Sequence, residues 1–320
     1  MTDANKSRLA KSLSKLALQG DLAGVALLLA QGADARANGS NALREAAEHG
    51  HAECVKLLIP NSNPGDRSSR ALRAAAKEGH ADCVKLLIPV SDPKADDSGA
   101  LSDAAWNGHA DCLALLIPVS DPKADDSKAL AHAASNGHLE CLKLLIPASD
   151  PKAYESQALR WAARDGHVEC VNILIPLSTP AADCSLALRW AAENGHAECV
   201  RLLIPVSQPQ DGNSHALFMA AMRNHPECVK LLIPHFGSRA DCERILRRSL
   251  AIGHAAIVAV FFEFEPLILD DASLLDCQRE AEACGRAEMA ALLSSIFDRR
   301  ALCSTVPLAE SRHPPLPPRL

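Results

Sequence analysis

The chain has 320 residues and a formal net charge of -6, and 48% of its residues are hydrophobic although only 3% are aromatic. That acidic balance argues against nucleic acid as a partner, because such binding depends on Lys and Arg that neutralise phosphates. No apolar run approaches the roughly 18 residues that a membrane span requires, so we expect no membrane partner.

The N-terminal segment, Met1 to Lys6, is polar and lacks the apolar stretch of a secretory signal. We therefore expect a cytoplasmic protein. The alternative is a specialised bacterial export signal, which would deliver the chain into the cytosol of a host cell.

From Ser40 onward the chain repeats itself every 29 residues. The residues that keep this interval run from Ser40 to Ser214, from His51 to His254, from Cys54 to Cys228 and from Pro60 to Pro234. Such a period predicts a solenoid, which grows by adding units and needs no second core.

The residue pattern of each unit predicts a helix, a tight turn, a second helix and a loop. In the unit that starts at Ser156, residues 158–163 form an apolar stripe with helical spacing, and Gly166 fits the left-handed position past the helix end. We expect Ser156 to cap the first helix, a contact worth about 1 kcal/mol. The second helix should begin near His167 and stop at Pro176.

The segment from Gly20 to Ala35, which contains Gly-Ala-Asp, resembles the second half of an ankyrin repeat. The pattern Ala-Leu-x-x-Ala-Ala-x-x-Gly-His-x-Glu-Cys-Val-Lys-Leu-Leu, from Ala42 to Leu58, is also similar to that family. The resemblance implies an all-α solenoid of about ten stacked ankyrin-like helix-turn-helix repeats. Because the family's usual period is about 33 residues, the shorter units here predict shortened β-hairpin loops with little or no strand.

Counting units divides the chain into four predicted parts. These are an N-terminal ankyrin-like capping repeat over residues 1–39, an ankyrin-like repeat array over 40–271, a C-terminal capping repeat over 272–299 and a Pro-rich disordered tail over 300–320. Degenerate end units are expected because their outer faces meet water.

The first, second, fifth and sixth positions after the repeated Leu point away from the apolar stripe of the first helices, and the second and fifth vary between units. The resemblance implies that this face lines a concave groove that holds protein partners, and large aromatics flanked by Arg are typical of binding hot spots. The residues that we predict to contact a partner are Trp106, His132, Arg160, Trp161, Arg164, Arg189, Trp190, Met219 and Met222. The alternative is that the indoles fill gaps between neighbouring first helices.

The repeated His-x-x-Cys, as in His167 and Cys170, has the residue types of a zinc site or of a base and nucleophile. Because the pair recurs in identical context, we interpret it as structural, with the His bridging backbone groups and the Cys buried. Equivalent helices of adjacent repeats lie about 8–10 Å apart, too far for a disulfide. We expect no metal, no cofactor and no catalytic residue.

The C-terminal segment carries Pro314, Pro317 and Arg319, which fit the PxxPxR pattern that SH3 domains bind. The sequence thus favours a monomeric, non-catalytic scaffold that binds a protein through the first-helix face. The alternative is a secreted bacterial effector or adaptor that recruits host proteins, an SH3 domain among them.

Overall fold

The computed structural model describes residues 3–207, 211–235, 239–265 and 268–305, and every regular element within them is a helix. The chain divides into two compact units, Met1–Gln208 and Pro209–Leu320. The helices of the first unit are α1 Asp3–Gln19, α2 Leu22–Ala30, α3 Ala37–Glu48, α4 Ala52–Leu58, α5 Asp66–Lys77, α6 Ala81–Leu87, α7 Ala95–Asn107, α8 Ala110–Leu116, α9 Ala124–Ser135, α10 Leu139–Leu145, α11 Ala153–Asp165, α12 Val168–Leu174, α13 Ala182–Glu193 and α14 Ala197–Leu203. Those of the second unit are α15 Asp211–Met222, α16 Pro226–Leu232, α17 Arg239–Ile252, α18 Ala255–Phe264, α19 Asp271–Ala283 and α20 Ala287–Thr305.

In the first unit the odd-numbered helices form one layer and the even-numbered helices form another. Each first helix packs on the first helix of the next pair, from α1 on α3 to α11 on α13. Each second helix likewise packs on the next second helix, from α2 on α4 to α12 on α14. Second helices such as α12 have only 7 residues, too few for a stable isolated helix. Stacking therefore supplies their stability, and the predicted solenoid of helix pairs is confirmed.

The core between the two layers consists of small and branched side chains. In the pair α11 and α12, Leu159, Ala162, Cys170, Val171 and Leu174 are each at most 1% exposed. Alanine on the first helices lets neighbouring backbones approach closely, which explains why a chain with few aromatics still fills its interior.

The glycine and histidine of each repeat together connect neighbouring repeats. Gly137 follows α9 with a φ of +70°, the left-handed conformation predicted for this position. The Nε2 of His167, in the next repeat, donates to the carbonyl of Ser135 at 2.8 Å. The same bond joins His80 to Glu48 and His109 to Lys77. The histidine thus satisfies a carbonyl at the C-terminal end of the preceding first helix.

The repeated serine does not cap a helix, so that prediction was wrong. Ser156 is 1% exposed and has a φ of +61°, and its Oγ accepts a 2.8 Å hydrogen bond from the backbone N–H of Thr179. A left-handed turn over Tyr154, Glu155 and Ser156 precedes the right-handed part of α11. That turn directs the hydroxyl away from its own helix. The serine therefore joins the start of its repeat to the loop after its second helix.

The loops between repeats are short and helical rather than stranded. After α12 a single 3-10 turn spans Ile175–Leu177, and Pro176 lies within it. The described residues contain no strand, as the short repeat predicted. Asp92 accepts a 3.0 Å bond from the backbone N–H of Lys94, which is the turn-forming role expected of Asp in such loops.

The second unit contains three further helix pairs, α15 with α16, α17 with α18 and α19 with α20. Asn224, with a φ of +61°, stands where the other repeats have Gly. His254 then bonds the carbonyl of Ala221 through Nδ1 at 3.0 Å, instead of through Nε2. The Asn side chain accounts for this change, because a Cβ at the equivalent glycines meets the imidazole.

Among the described residues, no helix is both long enough and apolar enough to cross a bilayer.

Candidate protein-binding face

The variable positions of the first helices lie opposite the buried stripe, as predicted. In α11, Ala158, Leu159 and Ala162 are buried, whereas Trp161 and Arg164 are half-buried. Residues two and five positions after the repeated Leu consequently lie along one face across the first unit, since successive first helices pack side by side. Of these residues Ser135 is buried.

Aromatic side chains on this surface contact one another across repeats. Trp106 on α7 meets His132 on α9 edge-on, with ring centroids 4.8 Å apart. His132 in turn lies nearly parallel to Trp161 on α11, at 6.2 Å and an interplanar angle of 15°. Edge-to-face and offset arrangements at such distances are favourable aromatic contacts.

Arg164 connects the last two tryptophans of the series. Its guanidinium carbon lies 5.6 Å from the ring centre of Trp161 and 6.0 Å from that of Trp190 on α13. The guanidinium donates to both carboxylate oxygens of Asp165, each at 2.8 Å, and the Ser135 hydroxyl donates to the same carboxylate at 2.7 Å. These bonds hold the planar cation against both indoles.

Asp165 remains ionised in this setting. Burial acts to raise the pKa of its carboxyl, but the hydrogen bonds from Arg164 and Ser135 and the nearby positive charge lower the pKa below its ordinary value. The Arg164–Asp165 ion pair therefore adds no net charge beside the indoles of Trp161 and Trp190.

Arg160 lies beneath the series and is only 7% exposed. It donates to the carbonyl of Tyr154 at 2.6 Å and lies 3.7 Å from the Glu155 carboxylate. Its guanidinium carbon is 5.5 Å from the ring centre of Tyr154 and 5.9 Å from that of Trp190. Arg160 is thus a structural support for Trp190 rather than an exposed contact.

We call Trp106, His132, Trp161, Arg164 and Trp190 the aromatic ladder. His132 is fixed within it by the Ser102 hydroxyl, 3.0 Å from Nδ1. Burial lowers the pKa of His132, so the imidazole is neutral at physiological pH. Trp106 is the most accessible member, with 47% of its surface exposed.

Towards the N-terminus the same face is occupied by ion pairs instead of aromatic rings. Arg44 pairs with Glu45 and Glu48, and Arg73 pairs with Asp103 at 2.9 Å and with Asp96. The face therefore changes from charged to aromatic along the first unit.

The structure brings six of the predicted site residues into one series of contacts: Trp106, His132, Arg160, Trp161, Arg164 and Trp190. Arg189 is half-buried, and Met219 and Met222 are half-buried on α15 in the second unit. Pro314, Pro317 and Arg319 lie outside the described residues.

Sequence reasoning missed Tyr154, Ser135 and Asp165, which hold the two arginines in place. Tyr154 lies in a left-handed turn that the repeat pattern of the sequence did not predict. Ser135 stands five residues after the repeated Leu of its unit, and Asp165 directly follows the residue at that position in the next unit. The variable positions could therefore have pointed to these two residues.

The repeated His-x-x-Cys has the geometry of a structural pair. A bond from the imidazole to a backbone carbonyl is present at His51, His80, His109, His138 and His167. Cys83, Cys112 and Cys170 are at most 1% exposed, and burial raises the pKa of each thiol to about 11. A thiol with such a pKa is protonated at neutral pH, and a protonated thiol is a weaker nucleophile than a thiolate. Within the described residues no three His, Cys, Asp or Glu side chains are grouped to hold a metal ion.

Comparison with known proteins finds a family to which most of the chain is similar. A family model described as ankyrin repeats matches three stretches of the chain, residues 13–98, 101–187 and 178–245. Among solved structures, the crystal structure of the human ASB11 ankyrin repeat domain is similar at 23% sequence identity and a TM-score of 0.45. That match covers 55% of this chain and 95% of the other. No sequence among the curated proteins matches the chain.

Proposed function

Because the chain belongs to the ankyrin-repeat family, whose repeats are protein–protein interaction modules, we propose that it is a non-catalytic scaffold that binds a protein through its aromatic ladder. The partner lies along the first-helix face of the first unit, across α7, α9, α11 and α13.

The observation that carries this proposal is the ladder itself. Tryptophan and arginine are the residue types most enriched in binding hot spots. Here they are pre-arranged by contacts with one another and by the Asp165 and Ser135 bonds to Arg164. A partner therefore meets side chains whose conformational freedom is already restricted, which lowers the entropic cost of binding.

The ring contacts also fill gaps between first helices, and this packing role does not compete with binding. Trp106 keeps 47% of its surface exposed at one end of the ladder, and Trp161 and Trp190 are half-buried rather than enclosed. A partially exposed indole supported from below gains the most from a partner that removes its remaining water contact.

The test is affinity capture from a lysate of the source cells, with captured proteins quantified by mass spectrometry. The variant Trp161→Ala/Trp190→Ala is compared with the wild type and with Lys56→Ala/Lys85→Ala, which changes exposed residues of α4 and α6. Circular dichroism checks that each variant is folded, and Trp106→Ala serves as a milder change. We expect at least one protein to be lost with both tryptophan variants and retained by the lysine variant.

Capture of the same proteins by all variants would refute the proposal. A chain that ends at Thr305 is included as a further arm. A protein lost only from that shortened chain would instead support the adaptor function predicted from Pro314, Pro317 and Arg319.

A further inference from the structure

The three indoles of the aromatic ladder are separated by single flat groups. The imidazole of His132 lies 4.8 Å from the ring centre of Trp106 and 6.2 Å from that of Trp161. The guanidinium carbon of Arg164 lies 5.6 Å from the ring centre of Trp161 and 6.0 Å from that of Trp190. The indoles therefore recur at comparable intervals along the face.

The stacking of the repeats sets this interval. Trp161 and Trp190 occupy the same position of neighbouring first helices, α11 and α13, which pack directly on each other. The axes of packed helices lie about 8–10 Å apart. A ligand that follows the ladder must consequently present a side chain to it at about the same interval.

A polyproline II backbone has this period. It has three residues per turn and rises about 3.1 Å per residue, so every third side chain faces the same way at intervals of about 9.3 Å. A β-strand returns a side chain to one face after about 6.7 Å. An α-helix does so after about 5.4 Å and would match the ladder only with every second turn. The spacing thus disfavours a strand and leaves polyproline II or a helix that uses alternate turns.

A row of asparagines beside the ladder distinguishes these two backbones. Asn107, Asn136 and Asn194 stand six residues after the repeated Leu, at the C-terminal ends of α7, α9 and α13. Each donates through Nδ2 to the carbonyl four residues earlier, at 2.8, 3.0 and 2.9 Å respectively. Within the described residues the rest of each amide has no hydrogen bond, so it is available to a ligand. The backbone of a helix is already bonded within itself, whereas polyproline II has no internal hydrogen bonds and can pair with this row.

Arg189 adds positive charge at the C-terminal end of the ladder. Arg73 and Arg160 hold the equivalent position in earlier repeats, and their guanidinium groups reach Asp103 and Trp190 of the next first helix. By this equivalence Arg189 extends beyond its own first helix in the same direction. Its buried Nε has no hydrogen-bond partner within the described residues.

No ion pair within the described residues neutralises Arg189. Arg164 is paired with Asp165, and burial keeps His132 neutral. Glu193, one turn further along α13, is engaged in an interaction of its own. A ligand with an acidic residue beside its prolines therefore matches the charge of this end of the site.

We propose that the aromatic ladder binds a partner segment in the polyproline II conformation, with prolines at three-residue intervals on the indoles and an acidic residue beside Arg189. Proline-rich segments dock on aromatic-lined grooves in this conformation, which is preformed and so loses little entropy on binding. The inference rests on the proposed function, because it specifies the chemistry of the partner that the ladder binds.

The test is a titration of the full-length protein with synthetic peptides, followed by calorimetry and tryptophan emission. The first peptide is Asp-Pro-Ser-Ser-Pro-Ser-Ser-Pro-Asp, and the second moves its central proline by one position without changing the composition. Removing one proline of three from its indole should weaken binding by about tenfold. Pro314 and Pro317 of the chain keep the same interval, and competition from them would weaken both peptides alike.

Two double variants test whether the peptides bind at the ladder. Trp161→Ala/Trp190→Ala should lose binding of the first peptide, whereas Lys56→Ala/Lys85→Ala, on exposed positions of α4 and α6, should bind it as the wild type does. Circular dichroism verifies that each variant is folded.

The contribution of Arg189 is tested with a third peptide, in which asparagine replaces both aspartates. The wild type should prefer the acidic over the neutral peptide by about threefold, as expected of a partly exposed ion pair. This ratio of affinities should persist in Arg189→Lys and fall to unity in Arg189→Gln. A preference that survives in Arg189→Gln would overturn the placement of the acidic residue.

Equal affinities for the two spacing isomers, or no binding of either, would overturn the inference as a whole. The proposed function would still stand if affinity capture yields a protein that is lost with the tryptophan variants, because the ladder would then bind a partner of other chemistry. The failure of this inference is therefore distinguishable from the failure of the proposed function.

Discussion

The glycines that follow α1, α3, α5, α7, α9 and α11 each satisfy two requirements. The first is a left-handed backbone, as at Gly137 with a φ of +70°. The second is close approach, since a Cβ at Gly137 would lie 2.4 Å from Nδ1 of His167. The same imidazole donates to Ser135, so glycine and histidine form one device that connects two repeats.

Gly137→Ala should therefore destabilise the protein by more than backbone strain alone. Strain in the left-handed region costs about 1–2 kcal/mol, and displacement of His167 adds about 1 kcal/mol for its lost hydrogen bond. Gly32→Ala is the matched control, because Gly32 has a φ of +81° but nothing within 4 Å of its Cβ position. Urea unfolding should rank the wild type above Gly32→Ala and Gly32→Ala above Gly137→Ala, and equal losses would contradict the account.

Ser156→Ala should destabilise the repeat, because it leaves the backbone N–H of Thr179 without its acceptor. The Ser156 side chain that accepts this bond is buried, and loss of one such hydrogen bond costs about 0.5–1.5 kcal/mol. Ser91→Ala is the control, since the buried Ser91 hydroxyl has no hydrogen-bond partner among the described residues. Thermal unfolding should show a clear loss for the first variant and little change for the second. The reverse order would show that the serine has another role.

At the scale of the element, the sequence predicted helices better than the turns that join them. Apolar periodicity located the buried stripe of α11, and the repeated proline, Pro176 in this unit, located the end of α12. Neither pattern predicted the left-handed turn over Tyr154, Glu155 and Ser156, since non-glycine residues rarely adopt that conformation.

For the candidate site, too, the sequence predicted some features and not others. The variable positions identified the tryptophans, whereas the order of their contacts depends on side-chain rotamers that spacing does not encode. The clamp of Arg164 by Asp165 and Ser135 was for that reason not foreseen.

Backbone strain in the left-handed turn before α11 can be tested by substitution. Glu155 has a φ of +55°, and Gly39 occupies the equivalent position in an earlier repeat. Glu155→Gly should raise the free energy of unfolding by about 1 kcal/mol relative to Glu155→Ala, because both lose the carboxylate and only glycine relieves the strain. Chemical denaturation of the two variants measures the difference. Equal stabilities would indicate that the turn is not strained.

Across the whole array of repeats, stability depends on buried thiols that stay protonated. Burial raises the pKa of Cys83, Cys112, Cys141, Cys170 and Cys199 from 9.0 to about 11. A pKa that is higher in the folded than in the unfolded state stabilises the fold below pH 9.0, and this contribution is lost as pH rises through about 11.

Raising the pH through this window should lower the urea midpoint of the wild type. A variant with alanine at all five of these positions should show a smaller decrease, because lysine titration is common to both proteins and only the thiol contribution is removed. Parallel pH profiles would show that the buried cysteines do not contribute to the pH dependence of folding.

The chain has three Trp, and all of them lie in the aromatic ladder, so tryptophan emission reports directly on this site. Titration of the purified protein with its captured partner should produce a saturable change in tryptophan emission, at the affinity that calorimetry measures. The variant Trp161→Ala/Trp190→Ala should bind about 30-fold more weakly or worse, as expected for loss of hot-spot residues. Tight calorimetric binding with unchanged emission would place the partner elsewhere on the protein and contradict the account.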